Sequence, residues 1–460
     1  MAQPWTPVIP DGAAPLYERL LSVLRADIAA GALATGTRLP PQRDLAYRLG
    51  VGLGTVTRAY VEAEKAGLVS AHVGRGSFVN APAAHRGAQR DGPINMAQNI
   101  SPSAPANSRL SEALARLRKR PDLLEHLAYA PVAGHETQRR AGAAWLSRTS
   151  SYADVDWRRV ICCAGAQQGL ALALGTVMRP GETLLTEAVA YHGLKALALH
   201  SGWKIRGLAM DAEGLRPDAL EEAILATGAR ALAVLPTLQN PTGRIMSLAR
   251  REAIAAIARK HDLTLVEDDI YGAYAPGAPP PFALRAPERT FHVSGVSKTL
   301  APGLRAGFLV APSGEAFERV LDAVRVIAYA PPAFGGLIAT QWIEDGTADA
   351  ILAETLEEGA VRLALARDLL GPALETPQSA TAPHLWLPMS ELDAERLAGR
   401  ALRGGVEVTP PDAPIVEAGF ESGVRICLGA VDSREVLRRG LEIVAGALFS
   451  EVSERSRAVI

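Results

Sequence analysis

The 460-residue sequence predicts an α/β chain in which a small N-terminal winged helix-turn-helix precedes a large parallel-sheet lobe and a smaller α+β lobe. Three observations carry this. Amphipathic helical periods fill residues 15–66 and end on a hairpin pattern, short apolar runs alternate with helical periods from Asn95 onward, and a stretch rich in Pro, Gly and charge separates the two regions. The expected boundaries are 1–80, a linker at 81–93, and 94–460, with the smaller lobe starting at about 331.

In the first region Leu16, Leu20, Val23, Leu24 and Ile28 fall on one helical face, and Gly31 is a natural stop. A second helix follows the prolines of Arg38-Leu-Pro-Pro41 and runs to Gly50, with Leu45 and Leu49 inward. The chain turns between Gly50 and Gly54, and a third helix runs from about Thr55 to Ala66, closed by Gly67. Leu68 to Val79 then reads as strand, Gly74-Arg-Gly76 turn and strand. The linker has no apolar period and spans about 45 Å when extended, enough to reach a neighbouring subunit.

Beyond it, the runs Val160-Ile-Cys-Cys163, Thr183-Leu-Leu-Thr186, Ala231-Leu-Ala-Val-Leu235, Leu263-Thr-Leu-Val266 and Phe308-Leu-Val310 are bounded by helical stretches such as 247–260. This pattern predicts a largely parallel sheet covered on both faces, with ligands at the strand carboxyl ends. Leu385-Trp-Leu387 and Val424-Arg-Ile-Cys-Leu428 predict short strands in the smaller lobe.

Composition narrows the function classes. Apolar residues make up 48% and charged residues 21%, ordinary values for a folded chain. The net charge is −1, and residues 1–80 carry eight Lys/Arg against six Asp/Glu, so any contact with a polyanion has to be local. Cys162, Cys163 and Cys427 are too few and too badly spaced for a disulfide framework or a metal site, which suits buried thiols in a cytoplasmic protein. Met1-Ala-Gln-Pro-Trp-Thr-Pro7 has neither a basic start nor an apolar run, so no secretory signal is expected. Residues 160–178 are uncharged, yet Gly165, Gln167, Gln168 and Gly169 interrupt them, and they read as strand, turn and helix rather than a membrane span.

One constellation carries chemistry. Lys298 lies in Ser294-Gly-Val-Ser-Lys-Thr-Leu-Ala-Pro-Gly-Leu-Arg305, downstream of Asn240-Pro-Thr-Gly243 and of the acidic strand end Glu267-Asp-Asp-Ile-Tyr271. An aldehyde cofactor with a pyridine ring and a phosphate requires an amine to condense with, a carboxylate to keep the ring nitrogen protonated and cations for the phosphate. Lys298 supplies the amine and Asp268 a carboxylate at a strand-end crevice. Tyr271 and Asn240 offer donors to the ring oxygen. Gly165-Ala166-Gln167, between a strand and a helix, offers backbone N–H groups to the phosphate. Tyr191 is positioned to stack on the ring, with core packing as its other reading. A salt bridge or helix cap is the other reading for Glu267 and Asp269.

With these pieces in order, residues 95–460 resemble the fold type I, aspartate-aminotransferase-like family of pyridoxal phosphate (PLP) proteins. The resemblance implies that Lys298 forms an imine with the cofactor, Asp268 pairs with the ring nitrogen, Asn240 and Tyr271 flank the ring oxygen, and Ser297 and Arg305 hold the phosphate. Arg425 matches the family's carboxylate-binding arginine. Tyr129, in Tyr129-Ala-Pro-Val-Ala-Gly134, resembles a tyrosine that reaches the phosphate of a partner subunit, which implies a homodimer. Two departures stand out. Gly295 occupies a position where the family has Ser or Thr, and Glu187-Ala-Val-Ala-Tyr191 replaces a Glu-x-Pro-x-Tyr run.

Residues 15–79 resemble the GntR-type winged helix through Gly36-Thr-Arg-Leu-Pro-Pro-Gln-Arg-Asp-Leu-Ala46, Thr55-Val-Thr-Arg-Ala-Tyr60, Gly67-Leu-Val69 and Gly74-Arg-Gly-Ser-Phe-Val79. Together the halves resemble the MocR subfamily of regulators. A recognition helix enters the major groove by its N-terminal residues, which makes Thr55, Thr57 and Arg58 candidates for base contact. Arg43 is a candidate phosphate clamp and Arg75, at the wing tip, a candidate for the minor groove. Gly52-Leu-Gly54 replaces the Ser/Thr and Arg that the family commonly places before the recognition helix.

The expectation is a cytoplasmic, dimeric, PLP-dependent transcription regulator that binds a double-stranded DNA operator and senses an amino acid or amine, with no membrane association. The alternatives are a PLP-dependent aminotransferase acting on an amino acid and a 2-oxo acid, with the N-terminal module as a passenger, and a regulator that senses the cofactor itself.

Overall fold

The computed structural model describes residues 5–12, 14–29, 32–34, 36–65, 68–72, 76–79 and 92–449. It divides into two compact units, Met1–Gly92 and Pro93–Ile460. Most of the expected linker, including residues 81–91, lies outside the described residues.

In the first unit α1 (Leu16–Ala29), α2 (Gln42–Leu49) and α3 (Leu53–Lys65) precede an antiparallel pair, β1 (Val69–His72) and β2 (Gly76–Val79). Leu20, Leu24 and Ile28 of α1 meet Leu45 of α2 and Val56 and Tyr60 of α3 in one core, while Leu49 is half-buried. Gly50 ends α2 at φ 63°, a left-handed cap open to glycine at no steric cost. This cap turns the chain sharply into α3. The Tyr60 hydroxyl donates to the Pro40 carbonyl at 2.9 Å and ties α3 to the segment ahead of α2.

The second unit is built on a seven-stranded sheet: β3 (Val160–Cys163), β4 (Thr183–Glu187), β5 (Lys204–Leu208), β6 (Ala231–Val234), β7 (Thr264–Asp268), β8 (Thr290–Gly295) and β9 (Gly307–Val310), in spatial order β3-β9-β8-β7-β6-β4-β5. Only β9 runs antiparallel to its neighbours, so its first residues join the carboxyl ends of the others at one edge. Alternation of side chains sends Ile161, Val293 and Leu309 to a face covered by Leu170 and Leu174 of helix Ala166–Val177. Leu185, Leu232 and Leu265 go to the opposite face, against Ile254 and Ala258 of helix Leu248–Lys260. The sheet is thus covered on both sides, as its near-continuous apolar strands require.

The smaller lobe pairs β10 (His384–Pro388) with β11 (Gly423–Cys427) in antiparallel register, Trp386 opposite Arg425. Leu385, Leu387, Val424 and Ile426 enter its core, and His384, Arg425 and Cys427 share the other face. Met96, ahead of the sheet in sequence, belongs to this same core. Residues 333–351 pack instead on the large lobe, where Leu337, Trp342 and Ile351 join Trp145, Leu146 and Phe308. The core of the smaller lobe takes up the chain only from about Leu363.

Candidate functional site

The strand carboxyl ends open onto a cavity of about 620 Å³. Its walls come from the ends of β6, β7 and β8, from residues 97–100, from the start of helix Ala166–Val177, and from Thr409, Pro410 and Arg425 of the smaller lobe. Of the residues singled out in the sequence, Lys298, Asp268, Asn240, Tyr271, Ser297, Arg305, Ala166, Gln167, Tyr191 and Arg425 all line it.

Lys298 stands just past β8, with its backbone carbonyl held by the hydroxyls of Ser101 and Tyr274 and its Nζ donating to the Asn99 carbonyl. Burial, with the nearby Arg425 and Arg305 charges, pulls its ammonium down to about 8. An amine so placed spends a usable fraction of time neutral near physiological pH, as a nucleophile must.

Asp268 is the last residue of β7 and is 8% exposed. Burial, with Asp269 beside it, pushes its carboxyl up to about 7. Among the described residues its hydrogen-bond donor is the Ile270 N–H, at 3.2 Å. A desolvated carboxylate with acceptor capacity to spare suits a cationic ring nitrogen. Glu267 and Asp269 turn away from the cavity. Glu267 accepts from the Phe282 and Ala283 N–H groups, at 3.1 and 3.3 Å, capping helix Phe282–Arg285, and also faces His292 at 3.2 Å and Arg251 at 3.7 Å. Burial alone would lower His292, but the Glu267 and Asp269 carboxylates outweigh it and raise the imidazole above its usual range. Glu267 is therefore both helix cap and ion-pair partner.

The phosphate end is shaped by two close approaches. Gly165, at φ 88°, begins helix Ala166–Val177 without a side-chain cap, so the first-turn N–H groups stay available to an anion. A Cβ on Gly165 would lie 3.1 Å from Arg305 Nη2, and that guanidinium donates to the Ala164 carbonyl at 2.6 Å. Gly295 pairs with Gly307 across β8 and β9, and a Cβ at 295 would sit 3.0 Å from the Ala306 carbonyl. The close approach of these strands gives the absence of Ser or Thr at 295 a steric reason. Ser297 remains on the cavity wall.

At the ring-oxygen end, Arg425 donates to Asn240 Oδ1 at 2.8 Å, to Thr409 Oγ1 at 3.0 Å and to the Ala97 carbonyl at 2.9 Å. These three bonds leave two of the five guanidinium N–H groups for a ligand carboxylate. Tyr271 lies beside Asn240 and Asp268, its phenol raised well above the usual range by burial. Tyr191 is half-buried at the start of helix His192–His200. Sequence reasoning missed Asn99, whose side-chain amide donates to the Tyr271 hydroxyl at 2.8 Å. No motif surrounds Asn99, and its segment reaches the cavity only because Ile94–Asn95 pairs with Val406–Glu407. Tyr129 does not line the cavity of its own chain: it is 81% exposed, with its ring against Tyr329 at 4.6 Å.

In the first unit α3 begins at Leu53, two residues ahead of Thr55. Thr55 is half-buried and Arg43 and Arg58 are exposed. The Thr57 hydroxyl donates to Gln42 Oε1 at 2.8 Å, joining α3 to α2, and the Arg58 guanidinium lies 4.0 Å over the Tyr17 ring. Arg75 lies outside the described residues.

The cavity passes a chemical test for PLP: an amine that is partly neutral near physiological pH, a desolvated carboxylate, and an uncapped helix start next to an arginine. When bound, this cofactor supplies an aldehyde that condenses with amines and a ring that withdraws electrons from them.

Comparison with known proteins agrees. The aminotransferase class I and II family matches residues 91–444, and the gntR family of bacterial regulatory proteins matches residues 16–79. The chain is 28% identical to the uncharacterized HTH-type transcriptional regulator YdeF of Bacillus subtilis, over 96% of each chain. It is 28% identical to the probable rhizopine catabolism regulatory protein MocR of Rhizobium meliloti, over 68% of this chain and 69% of that one. Among solved structures, an archaeal alanine:glyoxylate aminotransferase superposes with a TM-score of 0.70 at 26% identity, covering 78% of this chain and 91% of its own. The chain therefore belongs to the aminotransferase class I and II family, in the two-part form, with a gntR-family domain in front, that marks the MocR-type HTH regulators.

Proposed function

We propose that the protein is a cytoplasmic, DNA-binding transcription regulator whose aminotransferase-like domain holds PLP through Lys298 and reads the concentration of an amino acid or amine. The observation that carries this reading is the convergence of Lys298, Asp268, Arg305 and Arg425 on one cavity in a chain that also has the three helices and paired strands of a winged helix-turn-helix. In this reading Asn240 and Tyr271 hold the ring oxygen, Ser297, Ala166, Gln167 and Arg305 the phosphate, and Tyr191 the ring face. The exposed start of α3, with Thr55 and Arg58, meets base edges, and Arg43 meets a DNA phosphate. Thr57, tied to Gln42, serves the packing of α2 on α3.

A homodimer is part of the proposal. Leu124, Leu127, Tyr129, Val326, Ile327 and Tyr329 are all exposed by 60% or more, and the Tyr129–Tyr329 contact joins two stretches of this surface. Exposed apolar side chains grouped in this way mark an interaction surface. Tyr129 then serves the partner's cavity rather than its own.

The test combines cofactor, ligand and operator. Cofactor-loaded protein is expected to be dimeric by light scattering, and its operator affinity to change when the matching amine or amino acid is added, by the ~5- to 150-fold typical of coupling between sites. Operator binding indifferent to both ligand and cofactor would sink the regulator. Steady turnover of an amino donor with a 2-oxo acid, without sequence-specific binding at controlled salt, would establish the enzyme instead.

Effector chemistry follows from the cations. With Lys298 and Arg305 assigned to the cofactor, Arg425 is the remaining Arg or Lys on the cavity wall, and Ile100, Ile270, Pro302, Pro410 and Ala413 are apolar neighbours. This favours an amino acid with one carboxylate and a neutral side chain. Arg425→Gln is expected to weaken such an effector about 10²-fold, the cost of losing a charged hydrogen-bond pair, while leaving the response to a simple amine unchanged. Titration of the cofactor absorbance with both ligands checks it.

A further inference from the structure

We propose that Asn99 and His384 form a positioning pair that fixes the direction of the Tyr271 hydroxyl proton, aiming it at the ring oxygen of the bound cofactor. The inference rests on the reading that this cavity holds PLP.

The chain of contacts begins in the smaller lobe. His384, on β10, is completely buried, and its Nε2 lies 3.1 Å from the Gln239 carbonyl, which can only accept. Nε2 therefore carries the ring proton. Burial, with Arg425 nearby, drives the imidazolium form down to about 3, so the neutral ring leaves Nδ1 as an acceptor at any working pH. Asn99 Nδ2 lies 3.1 Å from that Nδ1. This contact settles the orientation of the Asn99 amide, because its oxygen could not face an unprotonated nitrogen.

The second proton of the same amide nitrogen goes to the Tyr271 hydroxyl at 2.8 Å. A phenol that accepts on one side donates on the other, and Tyr271 lines the cavity. Its charged and titratable surroundings are Arg425, Cys427, Asp268 and Tyr191, while Arg425 and Lys298 face His384. Among the described residues no acceptor lies within hydrogen-bond reach of the Tyr271 hydroxyl. The His384 ring is also tilted against that of Tyr271, with centroids 5.3 Å apart, so that with the Asn99 amide removed the hydroxyl can turn toward Nδ1. The pair acts through Tyr271 without touching the cofactor, and it ties β10 of the smaller lobe to the electronics of the site.

The readout is the pH at which the absorbance of the bound cofactor changes. A donor on the ring oxygen makes that oxygen less basic and lowers the midpoint, so losing the donor raises it. Asn99→Ala and His384→Phe are each expected to raise the midpoint by about 0.5 to 1 on the pH scale, the equivalent of one neutral hydrogen bond. His384→Asn, which keeps an oxygen near the position of Nδ1, should stay close to wild type and guards against a mere packing defect. The double variant Asn99→Ala/Tyr271→Phe should titrate like Tyr271→Phe alone, because the amide acts only through the phenol. Single variants that titrate like wild type, or shifts that add in the double variant, would overturn the pair while leaving the PLP site standing. Wild-type protein that acquires no cofactor absorbance at all would overturn both.

Discussion

Lys298→Ala protein saturated with PLP, treated with borohydride and digested, is expected to yield no cofactor-labelled peptide, whereas wild type carries the label on residue 298. The effect is all or none because Lys298 is the lysine on the cavity wall and its Nζ is already directed inward to the Asn99 carbonyl. The operator response to the effector should disappear with it, since a ligand without differential affinity for two states shifts nothing. The pH profile separates this lysine from any exposed one. With Lys298 pulled down to about 8 by burial, capture of the aldehyde by apoprotein should rise about tenfold per pH unit up to pH 8 and then level off. An ordinary lysine, at about 10.4, would still be climbing. A label remaining in the alanine variant, or a profile with no bend near 8, would remove Lys298 from its role.

Asp268→Asn is expected to weaken PLP about 10²- to 10³-fold, because removing one partner of a buried ion pair costs several kcal/mol. The same change should stabilise the empty protein. Burial raises the Asp268 carboxyl in the folded chain to about 7, so its contribution to stability is complete below the unfolded value near 3.9 and is lost as pH rises through 7. At pH 8 the asparagine variant without cofactor should therefore melt a few degrees above wild type, and the difference should shrink toward pH 4. Glu187 and Asp269, pushed up by burial to about 8 and about 6, keep part of the acid-favoured slope in both proteins. Melting curves of apoprotein and equilibrium titration with PLP check the two halves separately. A variant that binds PLP as tightly as wild type would show that Asp268 does not face the ring nitrogen.

The parts of the fold that could be read from the chain were those whose pattern is continuous. β3, β4, β6, β7 and β9 are largely apolar runs, and the chain at or just past the ends of β3, β6 and β7 lines the site. β5 is an edge strand whose Lys204-Ile-Arg-Gly-Leu208 is partly exposed, so it has no run to notice. β8 is completely buried but contains His292, whose Nδ1 meets Glu267, and Ser294, whose hydroxyl donates to the Asp269 carbonyl, contacts that no local pattern announces. The cavity residues set in motifs were legible for the same reason that Asn99 and His384 were not. Lys298, Asp268 and Asn240 sit in short strings whose spacing is itself informative, whereas Asn99 and His384 are 285 positions apart and meet only through tertiary structure. The separate packing of residues 333–351 on the large lobe was hidden likewise, since helix Ala333–Glu344 is apolar enough to suit either lobe.

The guanidinium of Arg425 is moored to three segments far apart in sequence, through the Ala97 carbonyl and the side-chain oxygens of Asn240 and Thr409. An arriving carboxylate thus meets a fork already immobilised, and the rotational freedom of that long side chain was given up when the protein folded, not when the ligand docks. Calorimetry should accordingly find little entropic resistance from this residue, and selectivity among carboxylates should follow the angle at which they enter more than their overall charge.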